Sequence, residues 1–144
     1  MNAFLFDFPL NCNVIGGTNS GKSTWIQKVM DTPEVWARKP DRIYYFYGIE
    51  SQALKQIKEK HPDAFFHLGM PSSFEGLFDP KLNNLVVIDD LAQQLENSAE
   101  FTDFLVVKQH CCMYLHLYNN QNLARHPSLE CGPVYSVPFL VCRC

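Results

Sequence analysis

Short apolar runs recur along the chain, each closed by a cluster of Gly, Pro, Asn or Asp, and this spacing predicts strands alternating with helices. Asn11 to Ile15 reads as a short strand entered through a turn at Phe8-Pro9. Lys22 to Met30 follows as a helix, ended by Asp31-Thr32-Pro33. Ile43 to Tyr47 is aromatic, strand-favouring and closed by Gly48. Ser51 to Lys60 sets Leu54 and Ile57 on one helical face behind a serine cap, with His61-Pro62 as the stop. Ala64 to Leu68 reads as another short strand, and Gly69 to Pro80, dense in Gly, Pro and Ser, as a loop.

Leu85-Val86-Val87-Ile88 is an unbroken apolar run, as expected of a strand buried on both faces of a parallel sheet. It ends in Asp89-Asp90. Ala99 to Gln109 is a helical segment, and Met113 to Tyr118 a strand that runs into Asn119-Asn120-Gln121-Asn122. Val134 to Val141 supplies a last strand, which Pro138 confines to an edge. Alternation of this kind implies an α/β fold of parallel βαβ units with helices on both faces. The 144 residues suit a single domain over the whole chain, 1–144.

A hydrophobic content of 47% with 19% charged residues is that of an ordinary globular protein, and no apolar run approaches the roughly 18 residues of a membrane span. Met1 to Phe8 is apolar but carries Asp7 and has no basic leader, so the expectation is an intracellular protein, neither secreted nor membrane-bound. The net charge of −3 argues against a broadly basic nucleic-acid surface. Local basic clusters remain, at Arg38-Lys39 and at Lys55, Lys58, Lys60 and His61, and read as solvated faces. Six cysteines, Cys12, Cys111, Cys112, Cys131, Cys142 and Cys144, include no C-x-x-C pair. Zinc needs four convergent ligands, so these read as reduced thiols.

The chemistry begins at Gly16-Gly17-Thr18-Asn19-Ser20-Gly21-Lys22-Ser23, a complete G-x-x-x-x-G-K-[ST] loop between a strand and a helix. Glycines let the backbone wrap a phosphate with its amide groups pointing inward, and the helix that follows adds its positive dipole end. Lys22 is placed to reach the β- and γ-phosphates, Ser23 to put its hydroxyl on Mg²⁺, and Thr24 to complete the nucleotide-binding run. Ligands in such sheets bind at the carboxyl ends of strands. Two further polar clusters sit at strand ends. Asp89 is the expected metal ligand, and Asp90 the carboxylate that orients and deprotonates the attacking water. Gln121, with Asn120 as second choice, is the amide expected to sense the γ-phosphate. ATP and Mg²⁺ are the implied cofactors.

Phe8-Pro9, the GGTNSGKS loop, the Val86 to Leu91 segment VVIDDL, the Phe101-Thr102 pair and the Gln121-Asn122-Leu123 turn together resemble a family. They are similar to the genome-packaging ATPases of large double-stranded DNA viruses and Maverick/polinton-type elements, within the FtsK/HerA-type P-loop motors. The resemblance covers roughly Phe8 to Leu123 and implies a three-layer P-loop NTPase with a mostly parallel central sheet flanked by helices. It also implies a homo-oligomeric ring that threads double-stranded DNA into a capsid, in the host cytoplasm or nucleus, with capsid or portal proteins as partners. Carried over, Lys22 and Ser23 bind phosphate and metal, Asp89 the metal, Asp90 the water, and Gln121 is the sensor. Relatives tend to have Ser-His-His where this chain has Gln109-His110-Cys111, and usually continue well past Cys144. Arg125 is the nearby candidate for an arginine that reaches a neighbouring subunit.

Three other readings fit the loop: a superfamily 3 replicative helicase, a small-molecule kinase, and a degenerate copy that binds nucleotide without turnover. The helicase reading lacks an attached origin-binding or nicking region. The kinase reading lacks an arginine-rich lid, since only Arg125 and Arg143 lie beyond Arg42.

Overall fold

Parallel pairing requires each strand to be carried back to the starting edge before the next begins, and the connections in this chain are long enough to do so. The computed structural model describes residues 5–15, 20–91, 112–118 and 139–143. The elements are β1 (Leu10–Ile15), α1 (Lys22–Asp31), a 3-10 turn at Pro33–Val35, β2 (Arg42–Tyr47), α2 (Gln52–Lys60), β3 (Phe65–Leu68), β4 (Asn84–Asp89), β5 (Cys112–Tyr118) and β6 (Phe139–Arg143). The strands form one six-stranded sheet, ordered β3-β2-β4-β5-β1-β6, with every pairing parallel. The fold is α/β. The expected helix Ala99 to Gln109 and the first part of the last strand, 134–138, lie outside the described residues.

β4 organises the core because both of its faces are covered. Leu85, Val86, Val87 and Ile88 are all buried, as their unbroken apolar run predicts. Leu85 and Val87 pack with Tyr45 of β2, Ile26 and Val29 of α1, and Leu54 and Ile57 of α2. Val86 and Ile88 pack on the other side with Tyr44, Phe46, Phe78 and Leu91. Both described helices therefore cover one face. On the opposite face the described cover is loop: Met70, Phe74 and Leu77 pack against that second cluster. The Tyr44 hydroxyl donates to the Leu77 carbonyl at 2.9 Å, and the Tyr44 and Phe78 rings meet edge-on at 4.6 Å. The expectation of helices on both faces is thus met on one face only among the described residues. Aromatic side chains let this irregular segment contribute to burial on that face, each able to bury about 150–250 Å².

Local signals fix the helices in place. The Ser51 hydroxyl accepts from the Leu54 amide at 3.1 Å, which satisfies one of the orphan donors at the start of α2. At its other end, Lys60 and His61 reach Asp31 at the end of α1 at 2.7 and 2.8 Å. The N-terminal segment is tied to the same face. Phe6 exchanges backbone hydrogen bonds with Val35 and Ala37, and its ring packs 5.5 Å from that of Trp36. Cys12 is a buried thiol on β1. Among the described residues no helix is long and apolar enough to cross a membrane.

Core packing should outweigh capping in this domain. Ile57→Ala is expected to cost about 2–5 kcal/mol, and Ser51→Ala about 1 kcal/mol, measured as urea-unfolding free energies. An Ile57→Ala loss no larger than that of Ser51→Ala would contradict the packing described.

Candidate functional site

With all strands pointing the same way, the residues that follow β1, β4 and β5 emerge along one edge of the sheet. The register keeps these ends level: Ile15 pairs with Tyr118, and Asp89 with Leu117. β5 lies between β1 and β4. At about 4.8 Å per strand the ends of β1 and β4 are therefore about 10 Å apart, with the end of β5 between them.

That gap is spanned from α1. Gly21 caps the helix with φ of 90°, a left-handed backbone that a side chain disfavours. A Cβ there would meet nothing within 4 Å, so the need for glycine is conformational rather than steric. Lys22 and Ser23 then occupy the first turn, where the helix dipole favours an anion. The Ser23 hydroxyl donates to Asp89 Oδ2 at 3.4 Å, joining residues 66 positions apart. Alternation along β4 explains why Asp89 is there to meet it. Leu85, Val87 and Asp89 share the face that packs under α1.

A third residue converges on the same oxygen. Tyr45 pairs with Val87 across β2 and β4, and its hydroxyl reaches diagonally to Asp89 Oδ2 at 2.9 Å. Asp89 is mostly buried, and burial is the chief reason its carboxyl is pushed above the usual range, with the charge of Asp90 adding to it. The hydrogen bonds from Tyr45 and Ser23 and the charge of Lys22 act the other way. Burial, then the neighbouring Asp89, lifts the Tyr45 phenol well above its ordinary value, so it stays a neutral donor at working pH. Asp90 leaves the strand differently. It is exposed, with φ of 58°, and the carbonyl of Asp89 before it accepts from the Gly48 amide at 2.9 Å.

A serine hydroxyl and a carboxylate are hard oxygen donors, which suits Mg²⁺. Among the described residues no group of three His, Cys, Asp or Glu side chains could cage a metal. Mg²⁺ is typically held by one or two carboxylates with water and phosphate oxygens completing its shell, and the donor set fits that pattern.

Of the residues singled out from sequence, Lys22, Ser23, Asp89 and Asp90 come together. Ser20 and Thr24 flank them on the exposed side. Gly16, Gly17, Thr18 and Asn19 lie outside the described residues, as do Gln121, Asn120 and Arg125. Tyr45 and Gly48 were not foreseen as site residues. β2 is an aromatic run in which Tyr44, Tyr45 and Phe46 are all buried, so no alternation singles out Tyr45, and its partner depends on a register that sequence does not give. Two of the three α2 lysines, Lys58 and Lys60, are engaged locally. Lys58 contacts Glu50 at 2.9 Å and Tyr47 at 3.1 Å, and Lys60 is held by Asp31.

Burying Asp89 has a sign that can be measured. Because its pKa is raised in the folded state above the ordinary 3.8, the native protein holds this proton more tightly than the unfolded chain. The favourable contribution is complete below 3.8 and is lost as pH rises through the folded value. Asp89→Asn, which cannot ionise, is therefore expected to be more stable than wild type at neutral pH without Mg²⁺, by a few degrees in Tm. The gap should close as pH falls towards about 4, followed by thermal unfolding across that range. A variant less stable than wild type at neutral pH would contradict this electrostatic account. The chain matches no protein-family model, no curated protein and no solved structure.

Proposed function

We propose that this chain is a three-layer P-loop ATPase core that binds ATP with Mg²⁺ at the edge formed by β1, α1, β4 and β5 and hydrolyses it. The observation that carries the reading is the Ser23–Asp89 contact of 3.4 Å. It joins the serine of a phosphate-loop motif to the carboxylate ending an apolar strand, two strands away from the loop. Lys22 at the helix start neutralises phosphate charge, with the first-turn amides acting alongside it. Ser23 and Asp89 hold the metal between them. Mg²⁺, when bound, supplies charge neutralisation on the phosphate oxygens. Asp90, exposed beside Asp89, accepts hydrogen bonds from the attacking water and takes its proton as the new P–O bond forms. The P–O bond to ADP breaks in the same displacement. Gln121, three residues past the end of β5 in sequence, is assigned the role of γ-phosphate sensor. An exposed carboxylate next to the metal ligand favours water as the acceptor over a small-molecule phosphoryl acceptor.

The sequence resemblance extends the reading to a DNA-packaging or translocating motor that works as a ring with double-stranded DNA and capsid or portal proteins. Lys58 and Lys60 of α2 are not assigned to DNA, because they are already engaged with Glu50 and Asp31.

Lys22→Ala should weaken ATP binding at least about tenfold, or 1.4 kcal/mol, by isothermal titration. Unchanged affinity would reject the loop as the site. Asp90→Asn should keep ATP affinity while lowering kcat about 100-fold or more, and undiminished turnover would remove Asp90 from the mechanism. Double-stranded DNA should stimulate the ATPase; activity indifferent to DNA would leave the ATPase standing and reject the motor.

A further inference from the structure

The end of β2 approaches the proposed catalytic turn more closely than any side chain allows. A Cβ built on Gly48 would stand 2.3 Å from the Asp90 carbonyl oxygen, 3.1 Å from its carbonyl carbon and 3.3 Å from Leu91 Cδ2. The first contact is with backbone, which cannot rotate aside as a side-chain end can. Gly48 does not have the left-handed backbone of Gly21, Gly69 or Gly76, so proximity rather than conformation demands glycine there. Its amide also donates to the Asp89 carbonyl at 2.9 Å, one step beyond the last β2–β4 pair, Tyr47 with Asp89. On its other side, Tyr47 accepts from the Gly69 amide at 2.8 Å, and the chain then enters the Ser51 cap of α2.

Asp90 itself adopts φ of 58° without being glycine. Such a backbone persists only where its surroundings hold it, and it recurs at functional sites. Gly48 is the neighbour that holds it. Its amide fixes the carbonyl just before the turn, and its missing side chain leaves room for the carbonyl just after it.

We propose that Gly48 is a positioning residue for Asp90, its bare backbone bracing the left-handed turn that aims the water-orienting carboxylate. This rests on the hydrolytic reading of Asp90. A methyl group at position 48 pushes the Asp90 carbonyl away and rotates the turn, displacing the carboxylate from the water while Lys22, Ser23 and α1 stay in place. Displacements of about 1 Å can cost about 100-fold in rate.

The test compares wild type, Gly48→Ala, Asp90→Asn and the double variant for ATP binding by titration and for steady-state hydrolysis. Gly48→Ala is expected to lower kcat about 10- to 100-fold with ATP affinity unchanged. On the Asp90→Asn background the same substitution should cost nothing further, because its effect passes through that carboxylate. Full turnover by Gly48→Ala, or an equal loss on both backgrounds, overturns the proposal while leaving the hydrolytic reading intact. A wild-type chain that binds no ATP refutes that reading and the proposal with it. If Gly48→Ala does not fold, exchange of the Gly48 amide in wild type decides. Mg²⁺ and ATP should slow it at least about tenfold as the turn tightens around the site, and unchanged exchange overturns the proposal.

Discussion

The site depends on one contact, the Ser23 hydroxyl on the Asp89 carboxylate at 3.4 Å. Each partner is placed by a different part of the chain. Gly21 makes the left-handed turn that starts α1, and the first turn then presents Ser23. β4 ends at Asp89 on the face beneath that helix, because alternation puts Val87 and Leu85 below it in the core. Neither placement alone would make the proposed metal site. The sheet order β4-β5-β1 brings them together by setting the ends of β1 and β4 two strand spacings apart, with β5 between them, a gap that the start of α1 crosses.

Convergence of this kind is unfavourable in the resting protein. Asp89 is mostly buried, its ionised form is penalised by that burial, and Asp90 adds a second negative charge beside it. Tyr45, Ser23 and Lys22 offset part of the penalty. A carboxylate kept poorly solvated and partly compensated is one prepared for a cation, and such sites commonly carry a stability cost in exchange for function. The left-handed Asp90 belongs to the same pattern of local strain held by its surroundings.

Much of the fold was legible in the sequence because its signals are local. Strand boundaries for β2, β4 and β5 fell within a residue or two of the apolar runs, and Ser51 capped α2 as its position suggested. Lys22, Ser23, Asp89 and Asp90, which the structure brings together, could be singled out because a loop motif and a strand end mark them directly. Tyr45 and Gly48 were not. Their roles arise from the β2–β4 register, with Tyr47 opposite Asp89, and register is set by long-range pairing that no local pattern encodes. The loop's share of the cover on the second face was not legible either. There Phe74 and Phe78 bury apolar area from a loop whose Gly, Pro and Ser content reads only as a connection.

The central claim is that Ser23 and Asp89 hold one Mg²⁺ between them, and a double-mutant cycle on the Mg²⁺ dependence of ATP binding tests it most directly. ATP affinity would be titrated with and without Mg²⁺ for wild type, Ser23→Ala, Asp89→Asn and the double variant. The account predicts that Mg²⁺ strengthens binding in wild type, that each single change removes most of that gain, and that the second change removes little more. Equal Mg²⁺ enhancement in wild type and in both single variants would contradict it.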